Sequence, residues 1–161
     1  MKVLVSGASG YIGGRLVPAL LTNGHSVRCM SRNPAKLSGH PWFEDIEAVH
    51  ADALDRPSLD SAMEGCDAAF YLIHSMGGEA ADFDKRDRQA AQNFADAAAD
   101  AALERIVYLG GLGTGDQLSK HLSSRHEVGR TLASGRIGVT ELRAAVIIGS
   151  GSVSFEMMRH L

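Results

Sequence analysis

Short apolar runs alternate along this chain with longer stretches in which apolar and polar positions recur at helical spacing. The apolar runs are rich in Val, Ile, Leu and Tyr, which is typical of strands buried on both faces of a sheet. They predict six strands, at Val3–Ser6, Ser26–Met30, Glu47–His50, Ala68–Ile73, Arg105–Leu109 and Val139–Arg143. The amphipathic stretches predict four helices, at Tyr11–Asn23, Pro57–Glu64, about Glu79–Ala102 and about Lys120–Ser134.

This alternation of strands and helices favours βαβ units around a parallel sheet. With right-handed crossovers, the expected fold is α/β, a doubly wound parallel sheet with the strand order 3-2-1-4-5-6. Gly24 is placed to end the first helix, and Pro57 lies near the start of the second, where proline is tolerated. A chain of 161 residues is long enough for one such domain with a sizeable core.

The composition narrows the range of partners. Hydrophobic residues make up 45% of the chain and charged residues 22%, and the net charge is −3. No basic surplus attracts nucleic acid or an anionic membrane, and the apolar runs are far shorter than the roughly 20 residues of a membrane span. The N-terminus lacks the pattern of a signal peptide, and Cys29 and Cys66 are interpreted as buried, reduced thiols. We therefore expect a cytoplasmic protein with a small-molecule substrate.

Three glycines separate the first predicted strand from the first predicted helix, in the spacing G-x-x-G-x-x-G. In such a loop the first glycine permits a tight turn, the second lets the backbone approach a pyrophosphate, and the third lets the helix pack on the sheet. The helix N-terminus adds amide donors and the positive end of its dipole. A structural glycine turn is the alternative, but the register of strand, loop, helix and second strand favours a dinucleotide site. Its expected residues are Gly7, Ser9, Gly10, Tyr11, Ile12 and Gly13.

The same run, "SGASGYIG", resembles the extended and atypical branches of the short-chain dehydrogenase/reductase superfamily. Later segments such as "RNPAKL", "ERIVYLGGLG" and "VTELRAAVIIGSG" resemble successive blocks of its NmrA-like, NAD(P)H-binding subgroup. The resemblance implies that residues 1–161 are a dinucleotide-binding Rossmann domain, truncated before a C-terminal substrate-binding region. It also allows a homodimer formed through the helices about Glu79–Ala102 and Lys120–Ser134.

The residues after the second predicted strand indicate which dinucleotide is bound. Arg32 lies 19 positions after Gly13, where an acidic residue would bind the ribose of NAD and an arginine accommodates the 2′-phosphate of NADP. Arg32 can hold a phosphate with two parallel hydrogen bonds, and Ser31 adds a hydroxyl donor. The missing carboxylate also argues against a methyltransferase site for S-adenosylmethionine. The sequence predicts NADP(H), the alternative being that Arg32, like Lys36 nearby, is an ordinary surface charge.

Two further groups of residues extend this site. The resemblance implies that Asp52 accepts a hydrogen bond from the adenine amino group and that Ala53 lines the ring; the alternative role for Asp52 is helix capping, for which Asp55 is better placed. Leu72, Ile73 and His74 end the fourth predicted strand, so the sheet topology is expected to bring them beside the cofactor.

The proton-transfer residues of the superfamily are the weak point of the resemblance. Its reductases use a Tyr-x-x-x-Lys pair, which this chain lacks; His121 aligns with the tyrosine and Arg125 with the lysine. A histidine can exchange protons near neutral pH, whereas an arginine can hold ribose hydroxyls but cannot titrate as a lysine does. His74 is a second candidate, and Thr114 is the nearest hydroxyl residue after the fifth strand. His121 is equally well explained as a polar residue on an exposed helix.

Three functions remain open from the sequence. The first is an NADP(H)-dependent oxidoreductase of the atypical short-chain type, transferring hydride to or from a small carbonyl or an enone or quinone. The second is a non-catalytic NADP(H)-binding redox sensor of the NmrA-like type, which needs no proton donor. The third, a nucleotide-sugar epimerase, would normally require the missing tyrosine. No histidine spacing matches a zinc motif.

Overall fold

A computed structural model describes residues 1–74, 80–113 and 119–152, together with residues 155, 156 and 159. Its strands are β1 (Lys2–Ser6), β2 (Ser26–Ser31), β3 (Glu47–His50), β4 (Ala68–Tyr71), β5 (Arg105–Gly111) and β6 (Gly138–Ala144). Its helices are α1 (Gly13–Thr22), α2 (Arg56–Met63), α3 (Ala80–Asp100) and α4 (Lys120–Ala133). Two 3-10 turns, Pro34–Leu37 and Phe43–Asp45, lie between β2 and β3.

All six strands pair in parallel in the order β3-β2-β1-β4-β5-β6, which confirms the predicted doubly wound fold. Ser6 at the end of β1 pairs with Met30 of β2, and the neighbouring Val5 pairs with Phe70 of β4. The carboxyl ends of β1, β2 and β4 therefore meet at one edge of the sheet. The order reverses on either side of β1, and ligands of doubly wound sheets bind at such a point.

Each face of the sheet has its own hydrophobic core. On one face, Leu4 packs with residues of α2, α3 and α4, including Met63, Phe94 and Leu132. On the other face, Val3 and Val5 pack with Val17 of α1 and with the connection between β2 and β3, through Leu37 and Trp42. Because β1 contributes to both cores, it is fixed from both sides, and the loop that follows it starts from a rigid position.

Several element boundaries differ from the sequence-based expectation, and three of these differences lie near the carboxyl edge of the sheet. Helix α1 begins at Gly13 rather than Tyr11, because the turn closed by the Gly10 amide on the Gly7 carbonyl (3.0 Å) occupies the preceding residues. Strand β4 ends at Tyr71, so Leu72, Ile73 and His74 follow the strand instead of ending it. Strand β5 continues to Gly111, because Gly110 and Gly111 still pair with β6.

The details expected at the helix ends and cysteines are mostly confirmed. Gly24 follows α1 with φ +78°, and its amide donates to the carbonyl of Leu21. Both Cys29 and Cys66 are buried free thiols, and burial raises the pKa of Cys29 to about 12. Of the helices that the structure describes, none combines the length and apolar character required to cross a bilayer.

Candidate cofactor site

The glycine loop between β1 and α1 leaves no space for side chains at two of its positions. Gly7 has φ +74°, and a Cβ on it would lie 3.0 Å from the carbonyl oxygen of Leu72. A Cβ on Gly13 would lie only 2.3 Å from the carbonyl oxygen of Gly7. The loop and the start of α1 are thus packed against each other and against the end of β4. This is the close packing that the first and third glycines were expected to allow.

Amide groups are available at the start of α1. In residues 1–74, 80–113 and 119–152, the amides of Tyr11, Ile12 and Gly13 donate to no backbone carbonyl, whereas the Gly14 amide donates to the carbonyl of Gly10 (2.8 Å). Three consecutive free donors at the positive end of a helix can bind an anion such as a pyrophosphate.

The hydroxyl of Ser6 fixes the loop to the neighbouring strand, a role that the sequence analysis missed. This fully buried hydroxyl donates to the carbonyl of Phe70 (2.8 Å) and accepts from the amide of Leu72 (3.1 Å). It therefore joins the end of β1 to the end of β4, immediately before Gly7. A polar residue at the end of an otherwise apolar strand was the available signal.

A cleft of about 480 Å³ lies along the carboxyl ends of β1 to β4. Eight of the expected cofactor residues line it: Gly7, Ser9, Ser31, Arg32, Asp52, Ala53, Ile73 and His74. The others, Gly10, Tyr11, Ile12, Gly13 and Leu72, do not line it, and neither do His121 and Arg125. Lining residues that the sequence analysis did not assign are Met30, Asn33, Ala51, Leu54, Arg86, Asp87 and Ala90; Lys36, a possible second contact there, also lines it.

One end of the cleft is positively charged. Arg32 is exposed, and among the described residues its guanidinium has no hydrogen-bond or ion-pair partner. Lys36, four residues after Arg32, also lines the cleft. Further charged lining residues are Arg86 and Asp87 of α3 and Asp52. The Ser31 hydroxyl accepts a hydrogen bond from the amide of Asn33 (3.1 Å), which leaves its own proton available for donation. This end of the cleft can therefore bind a phosphate dianion.

The next part of the cleft is formed by the turn after β3. One carboxylate oxygen of Asp52 accepts from the amide of Leu54 (3.0 Å), so the other remains available to accept from a ligand. The carbonyl of Ala53 accepts from Asn93 of α3 (3.1 Å), which fixes this turn. Asp55 lies at the N-cap position of α2, as expected, but its side chain makes no capping hydrogen bond. Its carbonyl instead accepts from the Ser58 hydroxyl (2.8 Å).

The two candidate proton donors lie next to each other although they are far apart in the sequence. The rings of His74, after β4, and His121, at the start of α4, have centroids 6.0 Å apart in an edge-to-face arrangement. Desolvation, followed by the charges of Arg125 and His121, lowers the pKa of His74. A lowered pKa reduces the protonated fraction of His74 near neutral pH, so His74 is a poorer proton donor than a histidine with the ordinary pKa.

Arg125 does not point freely into the cleft. Its guanidinium donates to the carbonyl of Leu109 in β5, and its own carbonyl accepts from the hydroxyl of Tyr108 (2.8 Å). Helix α4 lies close to β5 here, as shown by Gly111: a Cβ on this residue would come within 2.4 Å of the Leu122 side chain. Arg125 therefore joins α4 to β5. Thr114 lies outside the described residues.

The buried tyrosines do not replace the missing catalytic one. Tyr71 and Tyr108 are almost fully buried, and the Tyr108 hydroxyl is engaged with Arg125. Burial raises the pKa of Tyr108 to about 12 and that of Tyr71 still further. Both phenols belong to the core around α3 and α4.

Comparisons with known proteins agree with this geometry. A family model described as NAD(P)H-binding matches residues 7–146. A 3β-hydroxysteroid dehydrogenase/Δ5→4-isomerase of Mycobacterium tuberculosis is 34% identical over 116 residues, which are 66% of this chain and 30% of that protein. Cinnamoyl-CoA reductase 1 of Oryza sativa is 32% identical over 117 residues, or 69% of this chain and 34% of that protein. The chain thus spans about a third of the length of these curated relatives.

Solved structures share the fold. The triphenylmethane reductase of Citrobacter sp., solved as a complex with NADP(H), has a TM-score of 0.75 at 21% identity, over 91% of this chain and 50% of that one. Pen from Bacillus thuringiensis has a TM-score of 0.79 at 20% identity, over 94% and 52%. A further similar structure is described as a short-chain dehydrogenase/reductase superfamily protein with bound NAD. The predicted resemblance to that superfamily is confirmed, and the family match over residues 7–146 shows that this chain belongs to the NAD(P)H-binding family.

Proposed function

We propose that this chain binds NADP(H) in preference to NAD(H) and supplies the cofactor site of an oxidoreductase that acts on a small carbonyl, enone or quinone. Arg32 is the main support for the cofactor preference. Its exposed guanidinium has no partner among the described residues and lines the same cleft as Gly7 and Ser9 of the glycine loop. A 2′-phosphate is the part of NADP(H) that a free guanidinium recognises and that NAD(H) lacks.

The remaining residues fit the other parts of the dinucleotide. The amides of Tyr11, Ile12 and Gly13 would hold the pyrophosphate, and the free oxygen of Asp52 would accept from the adenine amino group. Ser31 would add a donor beside Arg32, and Leu72, Ile73 and His74 would lie along the path toward the nicotinamide. The bound cofactor supplies the hydride chemistry, while the protein supplies orientation and the proton.

The affinities for NADPH and for NADH, each measured by titration of the wild type and of Arg32→Ala, test the cofactor preference. We expect Arg32→Ala to weaken NADPH binding by about 10- to 100-fold, the effect of losing a charge-assisted hydrogen bond, and to leave NADH binding nearly unchanged. Arg130→Ala, which removes an exposed cation of α4 outside the cleft, is the matched control and should change neither. Equal or tighter binding of NADH by the wild-type protein would refute the preference.

We propose His121 as the proton donor of the reaction. It aligns in sequence with the superfamily's tyrosine, it is exposed, and its ring adjoins that of His74, which lines the cleft. His74, with its lowered pKa, serves as a ring neighbour of His121 rather than as the acid.

A non-catalytic sensor is the second candidate, and one observation favours it. The guanidinium of Arg125, which aligns with the superfamily's lysine, is engaged with the carbonyl of Leu109 and is therefore less available to hold a nicotinamide ribose. A protein that only binds the cofactor would not need that residue.

NADPH oxidation in the presence of aldehydes, quinones and enones separates the two candidates. We expect turnover by the full-length protein, and a loss of about 100-fold or more in kcat for His121→Ala with little change in NADPH affinity. Tight NADPH binding without turnover of any of these substrates would support the sensor. Unchanged kcat in His121→Ala would exclude His121 as the donor.

A further inference from the structure

Residues 149–152 contact the start of α1 through Tyr11 and Arg15, neither of which lines the cleft. Arg15, in the first turn of α1, donates to the carbonyl of Ser150 (2.7 Å), and its guanidinium carbon lies 3.8 Å from the centroid of the Tyr11 ring. Arg15 is exposed and does not line the cleft. Arg15 therefore links Tyr11, the first of the three residues with free amides, to a segment near the other end of the chain. We call that segment, Gly149–Ser152, the brace.

The brace contacts the Tyr11 ring through Gly149. A Cβ placed on Gly149 would lie 2.2 Å from the Tyr11 hydroxyl oxygen, while the next atom, Cζ of the same ring, is 3.4 Å away. The Gly149 backbone is therefore in direct contact with the end of the tyrosine ring. Since Gly149 does not adopt the left-handed conformation that favours glycine, the limit on its size comes from Tyr11 alone.

The brace has a shape of its own. Ser152, which is 4% exposed, accepts through its hydroxyl from the amides of Gly149 and Phe155 (3.2 Å each). Its amide donates to the carbonyl of Gly149 (2.8 Å). A turn closed in this way on a buried serine presents Gly149 to Tyr11 as a fixed surface.

We propose that Arg15 and Gly149 are positioning residues for the cofactor, which hold the Tyr11 ring so that the amides of Tyr11, Ile12 and Gly13 are pre-oriented for the pyrophosphate. The proposal rests on the proposed function, since it concerns the same site. The Tyr11 ring is held by Arg15 on its face and by Gly149 at its hydroxyl. Arg15 also donates to the backbone carbonyl of Tyr11 (3.5 Å), so it contacts the backbone as well as the ring. Groups that are already held in place before binding lose less conformational entropy when the ligand binds. Losing these contacts therefore weakens the affinity for the pyrophosphate.

Two ligands separate positioning from a general loss of structure. NADPH contains the pyrophosphate, whereas adenosine 2′-monophosphate contains only the part assigned to Arg32 and Asp52. We expect Arg15→Ala to weaken NADPH binding by about five- to tenfold and to leave adenosine 2′-monophosphate binding unchanged. Arg130→Ala is the control and should leave both unchanged. Unchanged NADPH affinity in Arg15→Ala, or equal weakening for both ligands, would overturn the proposal.

A double-mutant cycle tests the contact itself. Gly149→Ala should weaken NADPH binding because its new methyl group displaces Tyr11. In the Tyr11→Phe background the hydroxyl is absent, the nearest atom is at 3.4 Å, and the same substitution should cost at least about threefold less. Equal cost of Gly149→Ala in both backgrounds would refute the coupling through Tyr11. Failure of the wild-type protein to bind either ligand would instead refute the proposed cofactor site.

Discussion

His74 shows how residues from different parts of the chain determine one side chain's chemistry. Its imidazole lies beside His121, and burial and the charges of Arg125 and His121 lower its pKa, against a weaker opposing effect of Asp87. Because Arg125 is tied to the carbonyl of Leu109, its positive charge stays at a fixed place relative to His74. The lowered pKa is thus a consequence of how α4 packs against β5.

We predict that the pKa of His74 lies below its ordinary value in the folded protein and that Arg125→Gln raises it, because the neighbouring cation no longer disfavours the imidazolium. A titration of the histidine side chains by NMR measures both values. The control is Arg130→Gln, an exposed residue of the same helix that is not among the charges acting on His74. An unchanged His74 pKa in Arg125→Gln would contradict this electrostatic picture.

The lowered pKa of His74 also determines in which direction the stability of the protein changes with pH. A histidine whose pKa is lowered on folding binds fewer protons in the folded state than in the unfolded state when the pH falls through its ordinary pKa. The titration of His74 therefore lowers the free energy of unfolding as the pH falls below about 6.5. Above that pH, this group does not change the free energy of unfolding.

At the scale of elements, the sequence predicts the strands and helices well because apolar alternation and glycine punctuation are local properties. Their boundaries depend on contacts that no local pattern contains. Helix α1 starts late because the Gly10 amide is already bonded to Gly7, and β5 continues through Gly110 and Gly111 because β6 offers partners. The 3-10 turns between β2 and β3 were missed for a similar reason, since their place depends on Leu37 and Trp42 packing beneath α1.

The candidate site likewise contains residues that were expected from the sequence and contacts that only the packing of the fold creates. Gly7 and Arg32 were expected there from the glycine motif and from the spacing of Arg32 to it, and Asp52 from the family resemblance. All three follow strands, and parallel strands end at one edge of the sheet. By contrast, the proximity of His74 to His121 depends on how α4 docks on β5, and the contact of Tyr11 with Gly149 joins opposite ends of the chain. Such long-range contacts leave no periodicity in the sequence.

At the scale of the whole molecule, the cofactor cleft joins several elements of the fold. Its described lining comes from the ends of β1, β2, β3 and β4 and from α3. A ligand in this cleft contacts elements from both faces of the sheet. Its binding is therefore expected to oppose global unfolding, and not only the local opening of a loop.

We predict that NADPH raises the melting temperature more than NADH does at the same concentration. A ligand at about 100 times its Kd stabilises the folded state by about 2.7 kcal/mol. For a domain of this size that corresponds to a shift of roughly 5–10 °C, and differential scanning fluorimetry measures it. Arg32→Ala should reduce the NADPH shift to that of NADH, because only the 2′-phosphate distinguishes the two ligands. Equal shifts for both cofactors with the wild-type protein would show that Arg32 does not select between them, even if the cleft binds both.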